Sequence, residues 1–351
     1  MGTEPDTLVI LSPGFPANEA DTACIPPQQV FVKALKNICP GLNIIVLTFQ
    51  YPFTAAEYLW HGIRVIAMGG KEKRKLRRLQ IWTSAWVILQ KLNKEYKLMG
   101  LLSFWFGECA FVGSYFSKLN GLTHYAWILG QDAKRGNKYF RWIRPGGDAL
   151  IALSDFVARE VKKNYGVSPL QIIPAGVDTS LFGAAPDKRD IDVLGAGSLI
   201  PLKQYHLFIE AIGFLRGFVP GIKAVICGKG PETDRLQDLA KALHLNDNLF
   251  FAGELPHAEV LALMQRSKIF LHTSEYEGFG AVLSEALYAG AHVVSFCKPM
   301  DKDYRHHYVV KNKTEMNARL LAIIKNKRRG HDPVLMCTAE QVAKNIISLF
   351  A

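Results

Sequence analysis

Glu277 and Glu285, eight positions apart, are the residues with the clearest capacity for chemistry. They lie in the segment 274–290, SEYEGFGAVLSEALYAG, which follows an apolar run and has the small residues of a buried helix. At a helical rise of about 1.5 Å per residue the carboxylates are predicted to lie about 12 Å apart, with Glu285 about two turns along the helix. Such a pair could accept hydrogen bonds from both ends of a bent nucleotide sugar. The alternative is two surface glutamates beside a flexible loop.

The residues between the two glutamates favour the ligand-binding interpretation. Gly278 and Gly280 allow the backbone to come close to a ligand. The amides of Phe279–Ala281 stand at the start of the predicted helix, where unpaired N–H groups and the helix dipole favour an anion. The sequence therefore predicts a diphosphate site here.

This segment resembles the E-x7-E motif of family 4-like retaining glycosyltransferases of the GT-B fold. Three further segments resemble that family in the expected order. The run 195–204, GAGSLIPLKQ, is similar to its donor-phosphate loop, with Lys203 at the lysine position. The run 174–182, PAGVDTSLF, resembles its interdomain segment, and 227–231, CGKGP, resembles its glycine-proline turn at Gly228. The resemblance is close over the C-terminal half and loose over the N-terminal half.

The resemblance implies retaining transfer of a sugar from a nucleotide-diphosphate donor, with a UDP- or GDP-sugar expected and neither a cofactor nor a metal. Glu277 would position the sugar and Glu285 would bind the ribose. Lys203 would offset charge on the leaving diphosphate, since preorganised positive groups are a large catalytic term. The alternative for Lys203 is an exposed lysine at a helix start. Ser198 is expected to hydrogen-bond a phosphate.

Two departures from the family pattern concern the donor loops. The family usually has arginine where Ser198 stands, and serine brings no charge. The family's second glycine loop is replaced by 296–300, FCKPM, where Lys298 is a candidate substitute. A metal would require an Asp-x-Asp pair, and the candidates are 190–192 and 301–303. The first begins a strand and the second lies in a basic segment, so no metal site is predicted.

The N-terminal half offers weaker candidates. The run 128–133, ILGQDA, ends a predicted strand, so Asp132 or Gln131 could lie near the transferred sugar, with a loop-forming aspartate as the alternative. Gly14 follows the first strand, where a glycine loop near donor or acceptor is expected. His124 stands at the start of its strand and is predicted to be structural.

A basic run at 69–78 precedes a helix that carries two tryptophans. Its candidate acceptor-side or membrane-side residues are Lys71, Lys73, Arg74 and Lys75. One interpretation is a patch for an anionic lipid surface or an acidic acceptor. The other is a solvated loop before a helix that packs on the core through Trp82 and Trp86. Nucleic acid is not an expected partner, because it would leave Glu277 and Glu285 unexplained.

Composition bounds the class of protein. The chain has 351 residues, 49% hydrophobic and 21% charged, with a net charge of +11 that favours an anionic partner. No apolar run approaches the roughly 20 residues of a membrane span. The polar first residues do not resemble a secretory signal, and the six cysteines are scattered. We expect a cytoplasmic protein, or one that is peripheral at the inner face of a membrane.

Apolar runs alternate with helical patterns along the whole chain, which predicts parallel sheets covered by helices. The predicted fold class is α/β, with two doubly wound Rossmann-like domains facing a cleft. The expected domains are 1–186 on the acceptor side, 187–336 for the nucleotide sugar, and a C-terminal helix in 337–351 that returns to the first domain. Two other functions stay open: a sugar-nucleotide epimerase, and a non-catalytic nucleotide-sugar binder. The acceptor (glycan, glycolipid or lipid-linked precursor) is not specified.

Overall fold

The computed structural model describes residues 5–71, 75–186, 188–326 and 330–351, with backbone alone for 75–77. The chain forms two compact units. Unit 1 contains the residues up to Gly176 together with Ala339–Ala351, and unit 2 is Val177–Thr338.

Unit 1 is built on an eight-stranded sheet. Its strands are β1 (Thr7–Gly14), β2 (Asn43–Tyr51), β3 (Ala56–Trp60), β4 (Ile63–Ala67), β5 (Leu98–Phe104), β6 (Thr123–Ile128), β7 (Leu150–Ala152) and β8 (Gln171–Ile172). Their order is β3-β4-β2-β1-β5-β6-β7-β8, and every neighbouring pair is parallel except β3 with β4. The central strand β1 has its apolar residues buried on both faces, as a parallel sheet covered by helices requires.

Helices cover this sheet. They are α1 (Pro26–Ile38), α2 (Lys75–Glu95), α3 (Glu108–Asn120), α4 (Lys138–Ile143), α5 (Asp155–Tyr165) and, from the end of the chain, α11 (Ala339–Ile347). Ser154 begins α5 as expected, because its hydroxyl accepts from the Val157 amide. Helix α11 packs on α1, and the Phe350 ring beyond it lies edge-on to Tyr125 at 5.0 Å between ring centroids.

Unit 2 has a six-stranded, fully parallel sheet. Its strands are β9 (Ile191–Ala196), β10 (Ala224–Cys227), β11 (Leu249–Gly253), β12 (Ser267–His272), β13 (His292–Ser295) and β14 (His307–Val309), in the order β11-β10-β9-β12-β13-β14. Its helices are α6 (Tyr205–Arg216), α7 (Thr233–Ala242), α8 (His257–Arg266), α9 (Ala281–Tyr288) and α10 (Lys313–Lys325). The expected fold class, with two doubly wound sheets, is confirmed.

The units divide between Gly176 and Val177, ahead of the expected boundary at 186/187. Contacts within unit 2 explain the difference. The Val177 amide donates to the Cys337 carbonyl at 3.0 Å, and Gln265 donates to the carbonyl of Gly183. The stretch that looked like a linker is therefore attached to unit 2.

Candidate active site

Three loops at the carboxyl edge of the unit 2 sheet contain most of the predicted site. They follow β9, β10 and β12 and comprise 197–204, 228–232 and 273–280. In parallel α/β sheets ligands bind beyond this edge, because the carboxyl ends of neighbouring strands open toward the same side. The fold thus brings the phosphate-loop, glycine-turn and glutamate motifs together.

The first two loops pack backbone against backbone. Gly228 has φ +136°, and a Cβ there would lie 1.9 Å from the carbonyl oxygen of Gly197. The Leu199 amide donates to the Lys229 carbonyl at 3.1 Å, and the Gly197 amide donates to the Cys227 carbonyl at 3.0 Å. Only glycine permits this approach at 228, so the glycine-turn motif fixes the geometry of the phosphate loop.

The third loop is joined to the first by hydrogen bonds to the carbonyls of Leu202 and Lys203. Thr273 donates from its hydroxyl to the Lys203 carbonyl at 2.7 Å, and the Glu275 amide donates to the Leu202 carbonyl at 3.0 Å. The Lys203 ammonium then lies 2.5 Å from Oε2 of Glu277. Their side chains are only 20% and 18% exposed, so solvent screens this ion pair less than a surface pair.

His272, the last residue of β12, donates to the same glutamate oxygen. Its Nε2 lies 3.1 Å from Oε2 of Glu277. The ionised carboxylate has no proton to give, so the hydrogen of this bond belongs to the imidazole Nε2. Lys203 and His272 therefore share one oxygen of the carboxylate.

These contacts set the charge of the site. Burial acts to raise the pKa of Glu277, but the hydrogen bond from His272 and the charge of Lys203 outweigh it, and the pKa falls to about 2. Burial lowers the pKa of His272, against the opposing effect of Glu277. At neutral pH the cluster consists of a carboxylate, an ammonium and a neutral imidazole.

The glycines at the start of α9 shape the loop around Glu277. Gly280 has φ +69°, and a Cβ there would lie 2.9 Å from Cγ of Glu277. Phe279 is 1% exposed and anchors the loop in the core, while Gly278 is buried beside it. The backbone amides of the predicted diphosphate site therefore belong to a firmly held turn.

Glu285 lies in the second turn of α9 and contacts a histidine from α8. Nε2 of His257 is 2.8 Å from Oε1 of Glu285, and both side chains are mostly buried. The predicted separation of about 12 Å treated every residue from 277 to 285 as helical. That premise is wrong, because the helix begins only at Ala281.

The two departures from the family pattern lie at the same edge. Ser198 is exposed in the first loop. In the loop after β13, the Cys297 thiol donates to the Ser274 carbonyl at 3.1 Å and holds 296–298 against the glutamate loop. Lys298 forms an exposed ion pair with Asp303, 2.6 Å between Nζ and Oδ1.

The first Asp-x-Asp pair is occupied by basic partners. Asp190 binds the Arg266 guanidinium in a two-point contact, and Asp192 lies 2.7 Å from the Lys268 ammonium. Asp303 of the second pair is the partner of Lys298.

In unit 1, Asp132 is held by backbone amides. Its Oδ2 accepts from the Phe106 amide at 2.7 Å, and Oδ1 accepts from the Gly130 amide at 2.7 Å. Burial raises the pKa of Asp132 in spite of these bonds. The loop-forming alternative thus has a direct physical basis, while the proposed catalytic role remains a prediction. Gln131 beside it is exposed.

The other unit 1 candidates occupy a strand end and the core. Gly14 ends β1, and the next residue, Phe15, donates its amide to the Tyr51 carbonyl at 3.1 Å. His124 is partly buried, bonds to the Ser103 hydroxyl at 2.9 Å, and has its pKa lowered to about 3 by desolvation. These contacts agree with a structural histidine.

Most of the basic run lies outside the described residues. Lys73 and Arg74 fall in the undescribed range, the Lys75 side chain is not described, and Lys71 is exposed with φ +54°. The helix that follows packs on the core, as one of the two interpretations required: Trp82 donates from its indole N–H to Glu108 and lies against Phe111.

His272 and His257 are the site residues that the sequence did not reveal. His272 ends a buried strand and reads as part of an apolar run. His257 opens a separate helix, far from Glu285 in sequence. Each is identified only when folding brings it next to a glutamate.

Two family models match the chain. The model described as "Glycosyl transferases group 1" matches residues 178–333, and "Glycosyltransferase Family 4" matches residues 32–181. The first covers the unit that holds the Lys203–Glu277 cluster, and the second covers most of unit 1.

Curated relatives match part of the chain. Glycogen synthase of Mycobacterium tuberculosis is 30% identical over 177 residues, which is 49% of this chain and 43% of that protein. The GDP-mannose-dependent alpha-(1-6)-phosphatidylinositol monomannoside mannosyltransferase of Mycolicibacterium smegmatis is 29% identical over 43% of this chain and 45% of its own length. The chain thus matches less than half the length of these relatives.

Solved structures match over nearly the whole chain. HepE of Anabaena, in complex with UDP and glucose, has a TM-score of 0.69 at 17% identity and covers 99% of this chain and 97% of its own. Sucrose-phosphate synthase of Thermosynechococcus elongatus has a TM-score of 0.68 at 15% identity, over 98% and 94%. At 15–17% sequence identity, these structural similarities establish the fold alone.

The chain therefore has the fold of the GT-B glycosyltransferases, and each half of its sequence matches a glycosyltransferase family model. More particularly, its unit 2 matches group 1 and most of its unit 1 matches family 4.

Proposed function

We propose that this chain transfers a sugar, with retention of anomeric configuration and without a metal, from a UDP- or GDP-sugar to an acceptor hydroxyl. The observation that carries the proposal is the Lys203–Glu277–His272 cluster at the carboxyl edge of the unit 2 sheet, beside the two glycine loops. A partly buried cation beside loop amides suits a diphosphate leaving group. A carboxylate at the same point suits the hydroxyls of the sugar that it carries.

In this proposal Lys203 changes partner when the donor binds. In the cluster it neutralises Glu277, and a donor diphosphate offers it a more highly charged partner. As the bond from the sugar to the diphosphate breaks, negative charge grows on the departing oxygen and Lys203 stabilises it. Glu277 then accepts hydrogen bonds from sugar hydroxyls and holds the sugar in place.

His272 is the proposed positioning residue of this site. Both donors reach Oε2 of Glu277, so Oε1 is the oxygen that we assign to the sugar. When Lys203 turns to the diphosphate, the His272 N–H still fixes the carboxylate. A neutral donor suits this task, because it holds the carboxylate without adding a second cation that would repel Lys203 and attract the diphosphate.

Glu285 is proposed to bind the ribose, assisted by His257. Nε2 of His257 on α8 lies 2.8 Å from Oε1 of Glu285 on α9. Ribose hydroxyls can both donate to the carboxylate and accept from the imidazole, so the pair presents complementary groups to a diol.

Lys229 is proposed to supply the positive charge that Ser198 lacks. It is exposed in the loop after β10, and its own carbonyl is bonded to Leu199, next to Ser198. Lys229→Ala should weaken binding of a nucleoside diphosphate several-fold. Lys223→Ala is the matched control, because Lys223 is an exposed lysine that precedes the same strand, at the opposite edge.

The cellular setting belongs to the same proposal. All six cysteines are free thiols, which supports a reducing compartment such as the cytoplasm. Within the described ranges, no helix combines the length and apolarity of a membrane span. An acceptor at a membrane surface would then be reached by peripheral contact.

The test is a thermal-shift panel of UDP-, GDP- and ADP-sugars with EDTA present, followed by transfer assays with the donor that binds. Wild type should be stabilised by one class of donor, and Glu277→Ala should keep its fold and lose turnover. NMR of the product would report the anomeric configuration. Turnover by Glu277→Ala, or a strict metal requirement, would contradict the proposed mechanism.

Ser198 gives specific support to a second candidate, a nucleotide-sugar binder without catalysis. A loop with less positive charge could hold a donor and still fail to stabilise the departing diphosphate. Donor binding with neither hydrolysis nor transfer to any acceptor would favour this candidate. Release of an epimerised sugar nucleotide without an acceptor would instead identify an epimerase.

A further inference from the structure

One face of unit 1 exposes basic and apolar side chains next to each other. Helices α3 and α4 pack together and enclose a groove of about 950 Å³ with Trp82 of α2. We call its outer rim the α3–α4 surface: Tyr115, Lys118, Leu119, Arg141, Trp142 and Arg144, all of them exposed.

The charged residues that the structure describes along the lining of the groove are all basic. Lys118, Arg141 and Arg144 line the groove or stand at its edge, and none of its lining residues is acidic. Lys138 adds a fourth cation, with its ammonium 4.7 Å from the centre of the Trp142 ring. Such a cluster costs electrostatic self-repulsion in the free protein, so it favours an anionic partner.

The exposed apolar side chains of this face indicate which kind of anionic partner fits it. Leu119 is 72% exposed, Tyr115 41% and Trp142 37%. Aliphatic side chains projecting among cations gain little from a carbohydrate, whereas they can enter the boundary between headgroups and acyl chains of a bilayer. Tryptophan and tyrosine prefer that same boundary.

We propose that the α3–α4 surface docks unit 1 on an anionic lipid bilayer. Lys118, Arg141 and Arg144 would lie over the phosphates, and Leu119 and Trp142 would enter the interface. The inference goes beyond the proposed glycosyl transfer and does not depend on which sugar is moved. It also differs from the predicted patch at 71–75, since it rests on α3 and α4.

The experiment is co-sedimentation of the full chain with phosphatidylcholine vesicles, with and without phosphatidylglycerol. Wild type should bind the anionic vesicles and not the neutral ones. Binding should weaken between about 0.1 M and about 1 M salt, as the Debye length falls from about 10 Å to about 3 Å. Lys118→Glu with Arg141→Glu should reduce the partition coefficient at least tenfold, since each basic residue at such a surface contributes about fivefold and two of them are lost.

The matched control is Lys162→Glu with Lys163→Glu. These two exposed lysines occupy the last turn of α5, as Lys118 and Arg141 occupy the last turns of α3 and α4. The control should bind like wild type, and Leu119→Ser should bind less without a change in charge.

Equal loss in both charge-reversed proteins, or equal binding to neutral vesicles, would overturn the proposal. Binding to a soluble acidic polysaccharide but not to vesicles would replace the bilayer with a glycan. The donor-induced thermal shift, measured on the same variants, reports separately on the fold and on the proposed enzyme site.

Discussion

Replacement of His272 by leucine and by glutamine separates a positioning role from a structural one. Leucine removes the N–H that reaches Glu277, while the terminal amide of glutamine can place a neutral donor near the same point. We expect His272→Leu to lose most of its kcat with a small change in KM for the donor. His272→Gln should recover a large part of the lost rate.

The magnitude follows from the contacts of Glu277. Its pKa falls from 4.5 to about 2 against the effect of burial, and the His272 hydrogen bond is the largest of the stabilising contributions. A hydrogen bond to a charged group contributes about 1.5–3 kcal/mol. If that bond holds Glu277 while the sugar leaves, its loss lowers kcat by about tenfold to a hundredfold.

The pH dependence has a definite sign. Glu277 acts as a carboxylate, so activity falls when the pH drops through its pKa. Loss of His272 raises that pKa above about 2, and the acid limb of kcat/KM should move to higher pH in His272→Leu and return toward wild type in His272→Gln.

Nearby titratable groups must be separated from this effect. Burial raises the pKa of Cys297 to about 12, whereas it lowers the pKa of His307, which neighbours His272, to about 4. His307→Gln therefore identifies any limb near pH 4 that belongs to His307.

His124→Leu is the matched control for burial. It removes a partly buried histidine and one hydrogen bond, to Ser103, in the other unit. It should lower the melting temperature and leave the pH profile of the remaining activity unchanged. The positioning role of His272 is refuted if His272→Leu loses rate with an unshifted acid limb, or if glutamine restores stability without restoring kcat.

Three further predictions concern the donor loops. Lys203→Ala should lower kcat by about 10²–10³ and weaken binding of the free nucleoside diphosphate, as steady-state kinetics and calorimetry would report; an unchanged affinity would remove Lys203 from the diphosphate site. Glu285→Gln should weaken binding of a ribonucleotide by about tenfold while leaving the 2′,3′-dideoxy analogue unaffected, since only the former has the diol; equal loss for both would contradict ribose recognition. Gly228→Ala should destabilise unit 2 by about 3 kcal/mol or more in thermal unfolding, because its Cβ would lie 1.9 Å from the Gly197 carbonyl oxygen, whereas Gly221→Ala, with open space around it, should unfold like wild type.

Strands of the central sheets could be predicted because their apolar runs are long and uninterrupted. The β3–β4 hairpin and β14 were not predicted. The edge strand β3 has mixed exposure along its length, so it has no apolar run to reveal it. Its turn, His61-Gly62, has positive φ at both residues, which is the geometry of a two-residue hairpin turn, and a histidine-glycine pair is a weak signal for it. Strand β14 has only three residues and lies at the edge of the sheet, where it pairs with β13.

Two parts of the site could be predicted from sequence. They are the backbone turns that require glycine, and the charged residues that lie within one motif. Gly228 and Gly280 are detectable because no other residue fits their conformation and surroundings. The histidine partners could not be predicted in this way, because a histidine in an apolar strand is as compatible with a structural role in the core as with a role in the site. His124 is a partly buried strand residue and His272 a buried one, and only the fold places a hydroxyl beside the first and a carboxylate beside the second.

Asp132 and Glu277 show why one buried carboxylate suits a ligand site and the other suits a scaffold. Both follow a strand of a parallel sheet. Asp132 has each oxygen occupied by backbone amides, which cannot leave without unfolding the loop, and burial keeps its pKa raised. Glu277 is held through one oxygen, and one of its two donors is a lysine side chain that can turn to another anion. In the proposed mechanism an incoming diphosphate would therefore take Lys203 from Glu277 at little structural cost, whereas a ligand that replaced the amide bonds of Asp132 would have to displace the peptide groups that define its loop.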